Sequence, residues 1–318
     1  MKNKTLNYFN SNLYHRNYIL QVKRILIVLI SFILFCCSEK QIYNKTKFEI
    51  TYPEKFAENG YDGRLLLMIS NNNNAEPRFQ INDSHNTQII FGIDVESWKS
   101  GETKIFDSNI YGYPIKSIEN LKEGEYYVQA FLHKYETFNL STGYKVKLPK
   151  DQGEGQKWNI SPKNLYSTPK KVKISKSGTI KMSLENEIPP IESIKDSKYI
   201  KHVKIKSEML SKFWGRDMFL QANVLVPHNF DKNSKDKYPL MIFHGHFPNT
   251  FRGFRTEPPT APKVDTIFNT RFGITGYKYI QEKEAYDLYK NWISDDFPRF
   301  IAIEIQHQNP YYDDSYAV

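Results

Sequence analysis

From Lys47 to about Ile180, apolar and polar positions alternate in short runs. The segments "FEITY", "GRLLLMIS", "QIIFGIDV", "TKIFD", "EYYVQAFLH", "KVKL" and "KKVKI" are rich in β-branched and aromatic residues, the side chains that suit a pleated, half-buried surface. They are separated by Asn71 to Asn74, by "WKSGE", by "LKEGE" and by "KDQGEG", polar or glycine-bearing stretches that read as turns. About seven strands at such spacing predict a β-sandwich, placed here at residues 47–185. The asparagine run reads as a solvated hairpin loop, and no internal repeat is present.

Residues 186–198, "NEIPPIESIKDSK", set a proline pair among charged residues and read as a linker. From residue 199 the pattern changes. "YIKHVKIKS" and "FLQANVLVP" are strand candidates joined through "EMLSKFWGRDM". "YPLMIFHG" is nearly continuous in apolar residues, as in a strand buried on both faces. Residues 279–293 place Tyr279, Ile280, Ala285, Leu288, Tyr289 and Trp292 on one helical face, and "RFIAIEI" at 299–305 reads as another buried strand. Strand, helix, strand predicts a parallel α/β unit.

With 318 residues the chain is long enough for two domains, each with its own core. Its aromatic share of 15% favours packed structure over disorder. The formal charge of +9 is misleading as a mean. Lys2, Lys4, Arg16, Lys23 and Arg24 precede Cys37 with no acid among them, and removing them leaves 39 basic against 35 acidic residues, or +4. So small an excess gives no support to a nucleic-acid partner.

Lys23 and Arg24 lead into "ILIVLISFILFC" at residues 25–36, an apolar run of signal-peptide length that is short for a membrane span. It stops at Cys36-Cys37-Ser38. "LFCC" resembles the bacterial lipobox, in which a leucine three residues ahead of a cysteine directs cleavage and lipidation. The resemblance implies a signal peptide at 1–36, a lipid on Cys37, a tether at 37–46 and a place in the cell envelope. The alternative is an uncleaved N-terminal anchor. Both cysteines of the chain lie here, so no disulfide is expected to support the fold.

"FWGRDMFLQANVLVPHNF", "KYPLMIFHGHFP" and "IEIQHQNPYYDDSYAV" resemble the opening part of the catalytic domain in a serine esterase family of the α/β-hydrolase superfamily, over roughly residues 199–318. The overall expectation is all-β plus α/β: a β-sandwich followed by an incomplete α/β-hydrolase sheet. In such enzymes the loop after the His-Gly strand donates a backbone N–H to the oxyanion hole, where preorganised donors meet developing negative charge. Carried over, that loop is Gly245, His246 and Phe247, with His244 structural at the strand end. The loop after the next parallel strand borders the pocket, which points to His307, Asn309 and Tyr311. A metal reading of His244 and His246 lacks a nearby acid to complete a ligand set, and no metal or other cofactor is expected. His133 and His202 read as ordinary strand histidines.

The nucleophile is the deciding element. An α/β-hydrolase presents its serine in Gly-x-Ser-x-Gly, and among the 15 glycines no two lie four apart. Ser-x-x-Lys at Ser167–Lys170 and Ser234–Lys237 is taken as chance, and Ser315 beside Asp313 and Asp314 has no base assigned to it. The expectation is therefore a truncated, lipid-anchored esterase relative, inactive as this chain, whose family substrates would be esters such as acylated carbohydrate. An alternative from another class is a surface lipoprotein binding glycan or protein, with Trp98, Tyr126, Tyr127 and Trp158 stacking on sugars.

Overall fold

The computed structural model describes residues 45–56, 59–151, 157–192, 195–244, 251, 253–260, 268–269, 274–306 and 310–311. In chain order the first strands are β1 (Lys45–Thr51), β2 (Tyr61–Ser70), β3 (Ile89–Trp98), β4 (Lys104–Phe106), β5 (Gly112–Tyr113) and β6 (Gly124–Lys134). They are followed by β7 (Glu136–Asn139), β8 (Lys145–Leu148), β9 (Leu165–Tyr166), β10 (Lys170–Ile174), β11 (Ser177–Ser183) and β12 (Asn186–Glu187). Seven of them form one sheet in the order β12-β9-β6-β2-β3-β5, with β10 also paired to β6. A three-stranded sheet runs β11-β1-β4, and β7 with β8 makes a separate hairpin.

Alternation along the strands supplies a core shared by the two larger sheets. Phe48 and Ile50 of β1 and Phe106 of β4 join Leu65, Leu67 and Ile69 of β2 and Val128, Ala130 and Leu132 of β6 in one buried cluster. Each of these side chains larger than Ala130 stabilises the fold by about 1.5–3 kcal/mol when taken from water. The opposite face of the seven-stranded sheet is also covered, since Met68 and Phe131 are buried with Ile188, and Leu66, Trp158 and Tyr166 pack on them. That two-sided burial explains the unbroken apolar run "LLLMI" in β2 (Tyr61–Ser70). Asn186 and Glu187, expected in a linker, pair with β9 instead.

The remaining elements are β13 (Ile200–Lys206), α1 (Glu208–Trp214), β14 (Phe219–Leu225), β15 (Leu240–His244), β16 (Phe268–Asn269), β17 (Ile274–Thr275), α2 (Tyr277–Ile293) and β18 (Ile301–Gln306). Helix α1 begins at Ser207, whose hydroxyl accepts from the Leu210 N–H, and ends at Gly215 with φ 63°, a left-handed cap that glycine adopts without strain. β13, β14, β18 and β15 form a four-stranded sheet in that order, antiparallel at the first two junctions and parallel between β15 and β18. Helix α2 lies between the parallel pair in sequence. Its Trp292 is buried with Leu225 of β14 and Ala302 of β18.

Two expectations for this part need correction. β15 is an edge strand among the described residues, and all five of its residues are exposed, where burial on both faces was expected. β18 is inner, and only its alternate residues Ala302 and Glu304 are buried. In β18 the reason is that α2 covers only one face of the sheet, whereas Val203, Ile205, Leu220 and Ile242 on the other face remain exposed. In β15 the reason is its edge position, since Met241 and Phe243, on the α2 face, are exposed as well.

Candidate functional site

Strands β15 and β18 run in parallel, with His244 opposite Ile305. The chain therefore leaves the sheet at His244 and at Gln306 on the same end, the end where open parallel sheets place their ligands. Gly245, His246, Phe247, His307 and Asn309, predicted to line this end, lie outside the described residues, as does Cys37. His244 itself is exposed. Tyr311 is buried, with ring centroids 5.0 Å from Phe138 and 5.6 Å from Trp214. It joins the β7 hairpin to α1, beside a backbone bond from Asp151 N–H to the Pro310 carbonyl at 3.1 Å.

A polar row crosses the four-stranded sheet. His202, Asn223, Glu304 and Phe243 are register partners on successive strands, so their side chains share one face. Asn223 and Glu304 are 1% and 8% exposed, on the face that α2 covers. At the outer end of the row, Asp196 accepts from the His202 backbone N–H at 2.9 Å and lies 3.2 Å from His202 Nδ1. These contacts, the backbone N–H first, hold the Asp196 carboxyl below the usual carboxylate range. Among the described residues, His202 Nε2 is buried without a hydrogen-bond partner. Polar groups placed inside a sheet face must be satisfied there, and nothing in strand alternation distinguishes them from ordinary strand residues.

Beside this row a cavity of about 950 Å³ opens between the start of β13, Phe251, residues 253–257 and α2. Tyr199, Phe254 and Tyr289 form its aromatic floor, with each pair of ring centroids 5.8 Å apart. The Tyr199 hydroxyl is 3.1 Å from His228 Nδ1. On the rim, Arg255 lies 3.7 Å from Glu282, and its Nε donates to the Glu257 carbonyl at 2.8 Å. An apolar floor with a polar rim suits a ring or acyl group carrying a polar end. The sequence offered only aromatic spacing as a signal here, and that spacing reads equally as core.

Two of the serines considered as nucleophiles hold backbone instead, and Ser315 lies outside the described residues. The Ser167 hydroxyl accepts from Ala130 N–H at 3.0 Å and the Ser234 hydroxyl from Asp236 N–H at 3.1 Å. In the cavity wall, the Ser197 hydroxyl accepts from Ile200 N–H at 3.0 Å. Among the described residues no group of three His, Cys, Asp or Glu is placed to hold a metal ion. Of the aromatics considered for sugar stacking, Trp98 is fully buried and its Nε1 donates to the Glu102 carbonyl at 2.8 Å. Trp158 packs edge-on to Phe131 at 5.2 Å. No family model matches the chain, and no curated protein matches it.

Proposed function

We propose that the chain is a lipid-anchored envelope protein in which a β-sandwich precedes the opening strands of an α/β-hydrolase-like esterase domain, and that residues 1–318 alone do not hydrolyse esters. The observation that carries this reading is the strand order β13-β14-β18-β15, with an antiparallel pair followed by a parallel pair joined through α2. The resemblance in "FWGRDMFLQANVLVPHNF" and "KYPLMIFHGHFP" implies that arrangement. The uncovered apolar face supports it as well, since α/β sheets carry helices on both faces.

Within this reading, Gly245, His246 and Phe247 match the family's oxyanion loop, and the esters on which the family's reaction would act are acylated carbohydrate or a related acyl conjugate. The chain has no Gly-x-Ser-x-Gly, so the acyl-enzyme step has no nucleophile in its usual elbow. The test is labelling of the full chain by a fluorophosphonate probe. No labelled serine is expected, and a stoichiometrically labelled serine would overturn the inactive reading. The anchor is tested separately by the mass of the N-terminal peptide, which should begin at an acylated Cys37.

A further inference from the structure

The entry to β2 reads "ENGYDG", in which a side-chain amide and a carboxyl each precede a glycine, as Asn59–Gly60 and Asp62–Gly63. No other asparagine of the chain is followed by glycine. The Cγ of an asparagine is open to attack by the backbone nitrogen of the next residue, and a glycine there, having no Cβ, obstructs the approach least. How the fold holds the two groups then decides whether the pair reacts.

The fold requires the glycine at position 60. Its φ is +81°, and a Cβ built there would lie 2.8 Å from the Ser97 carbonyl carbon and 2.9 Å from the Trp98 carbonyl oxygen. A side chain has no room against that backbone. Asn59 itself is exposed. Among the described residues its amide has no hydrogen-bond partner, and the Gly60 N–H donates to no backbone carbonyl. The side chain can therefore turn toward the Gly60 nitrogen without giving up a bond.

Asp62–Gly63 is the opposite case. The Ser97 N–H donates to Asp62 Oδ1 at 2.8 Å, Lys147 Nζ lies 3.0 Å from Oδ2, and the Asp62 carbonyl accepts from the Tyr135 N–H at 2.8 Å. These contacts, the Ser97 N–H first, hold the carboxyl below the usual carboxylate range, and an ionised carboxylate is a poor electrophile. Gly63 is fixed as well, in ladders opposite Val95 and Lys134. Of two labile sequences three residues apart, the fold locks one and leaves the other open.

We propose that Asn59 is a self-modification site, converting through a cyclic imide to aspartate and isoaspartate while the protein stays folded. The Gly60 nitrogen loses its proton to solvent base and bonds to Asn59 Cγ. The bond from Cγ to the side-chain nitrogen breaks, and that nitrogen leaves as ammonia with a proton from water. One water molecule then opens the imide at either carbonyl, so the net change is water consumed and ammonia released. Opening at the main-chain carbonyl gives isoaspartate, which adds a methylene to the backbone of a loop tied by the Tyr61 hydroxyl donating to the Phe56 carbonyl at 2.5 Å.

The experiment incubates the full chain in mildly alkaline buffer, folded or in concentrated guanidinium. Peptide mass reads the exchange of NH2 for OH, and enzymatic methyl transfer reads isoaspartate. In the folded chain Asn59 is expected to convert severalfold faster than Asn72 or Asn164, at a rate within severalfold of its own in guanidinium. Isoaspartate at position 62 should appear only after unfolding. Mildly acidic buffer should slow conversion at Asn59 severalfold, because the attacking nitrogen must lose its proton, and Asn59→Gln should remove the signal from this peptide. An Asn59 that stays intact in the folded chain while guanidinium converts it, or folded-state conversion no faster than at Asn72 and Asn164, overturns the proposal.

Discussion

The guanidinium of Arg78 lies 4.1 Å from the centroid of the Tyr166 ring, and its Nε donates to Glu76 Oε2 at 2.9 Å. Gln129 completes the arrangement: its Nε2 donates to the same Glu76 oxygen at 2.8 Å and its Oε1 accepts from the Arg78 backbone N–H at 3.1 Å. Each buried polar group in the set is satisfied by another, and the cation rests on an aromatic face. Removing the guanidinium leaves Glu76 facing Gln129 without its cation. Arg78→Ala is therefore expected to cost about 2–4 kcal/mol by denaturant unfolding. Arg78→Lys should recover only part of that loss, because a lysine lacks the planar fork. Full recovery by lysine would mean that charge alone matters at this position.

His133 on β6 is half-buried, with its ring 5.7 Å from that of Tyr135. Burial pushes its imidazole from 6.5 down to about 4. The native state thus favours the neutral ring, while the unfolded chain binds a proton near pH 6.5. Between those values the unfolded state holds more protons, so stability is complete above pH 6.5 and falls as the pH drops toward 4. The loss attributable to this residue is about 3 kcal/mol by pH 4. Unfolding curves of wild type and His133→Gln across that range should converge as the pH falls; a constant difference would remove His133 as the source.

Much of the strand content was legible in the sequence because it depends on local alternation. "GRLLLMIS" and "EYYVQAFLH" announce β2 and β6 directly, and the apolar spacing of Ala285, Leu288 and Trp292 announces α2. What escaped is non-local. β11 joins β1 in parallel, pairing Phe48 with Ile180, and no local pattern encodes a partner more than a hundred residues away. The burial of β15 was misread for the same reason: "LMIFH" carries a fully apolar pattern, but its place at the sheet edge is set by β18. The row of His202, Asn223 and Glu304 comes together only through register, and the cavity floor only when Tyr199 meets Tyr289.

The two edges of the four-stranded sheet differ in kind. β13 carries Lys201, Lys204 and Lys206, the charges that discourage edge pairing, whereas β15 presents Leu240, Met241, Ile242 and Phe243 at 59%, 42%, 49% and 43% exposure. A lysine at Ile242 meets solvent in place of an apolar side chain. Ile242→Lys is expected to change stability by no more than about 0.5 kcal/mol. It should also raise the concentration at which the detergent-solubilised chain begins to self-associate. Light scattering across a dilution series checks this; an unaltered threshold would show that the exposed strand is not the adhesive element.

Trp292 decides whether the four-stranded sheet keeps its helix. The indole is 2% exposed, its Nε1 donates to the Val226 carbonyl at 2.9 Å, and its ring lies edge-on to Phe300 at 4.9 Å and to Phe254 at 6.1 Å. Because among the described residues nothing gives the opposite face of the sheet such cover, the contacts made by α2 carry most of the packing described for β14 and β18. Trp292→Ala opens a cavity beside Leu225 and Ala302 and leaves the Val226 carbonyl without its donor, at an expected cost of about 3–5 kcal/mol. The loss should be local. Hydrogen exchange in β14 and β18 is expected to quicken, while β2 and β6, whose core contains no residue of α2, keep their protection. Uniform acceleration across both regions would show instead that the two cores unfold as one cooperative unit.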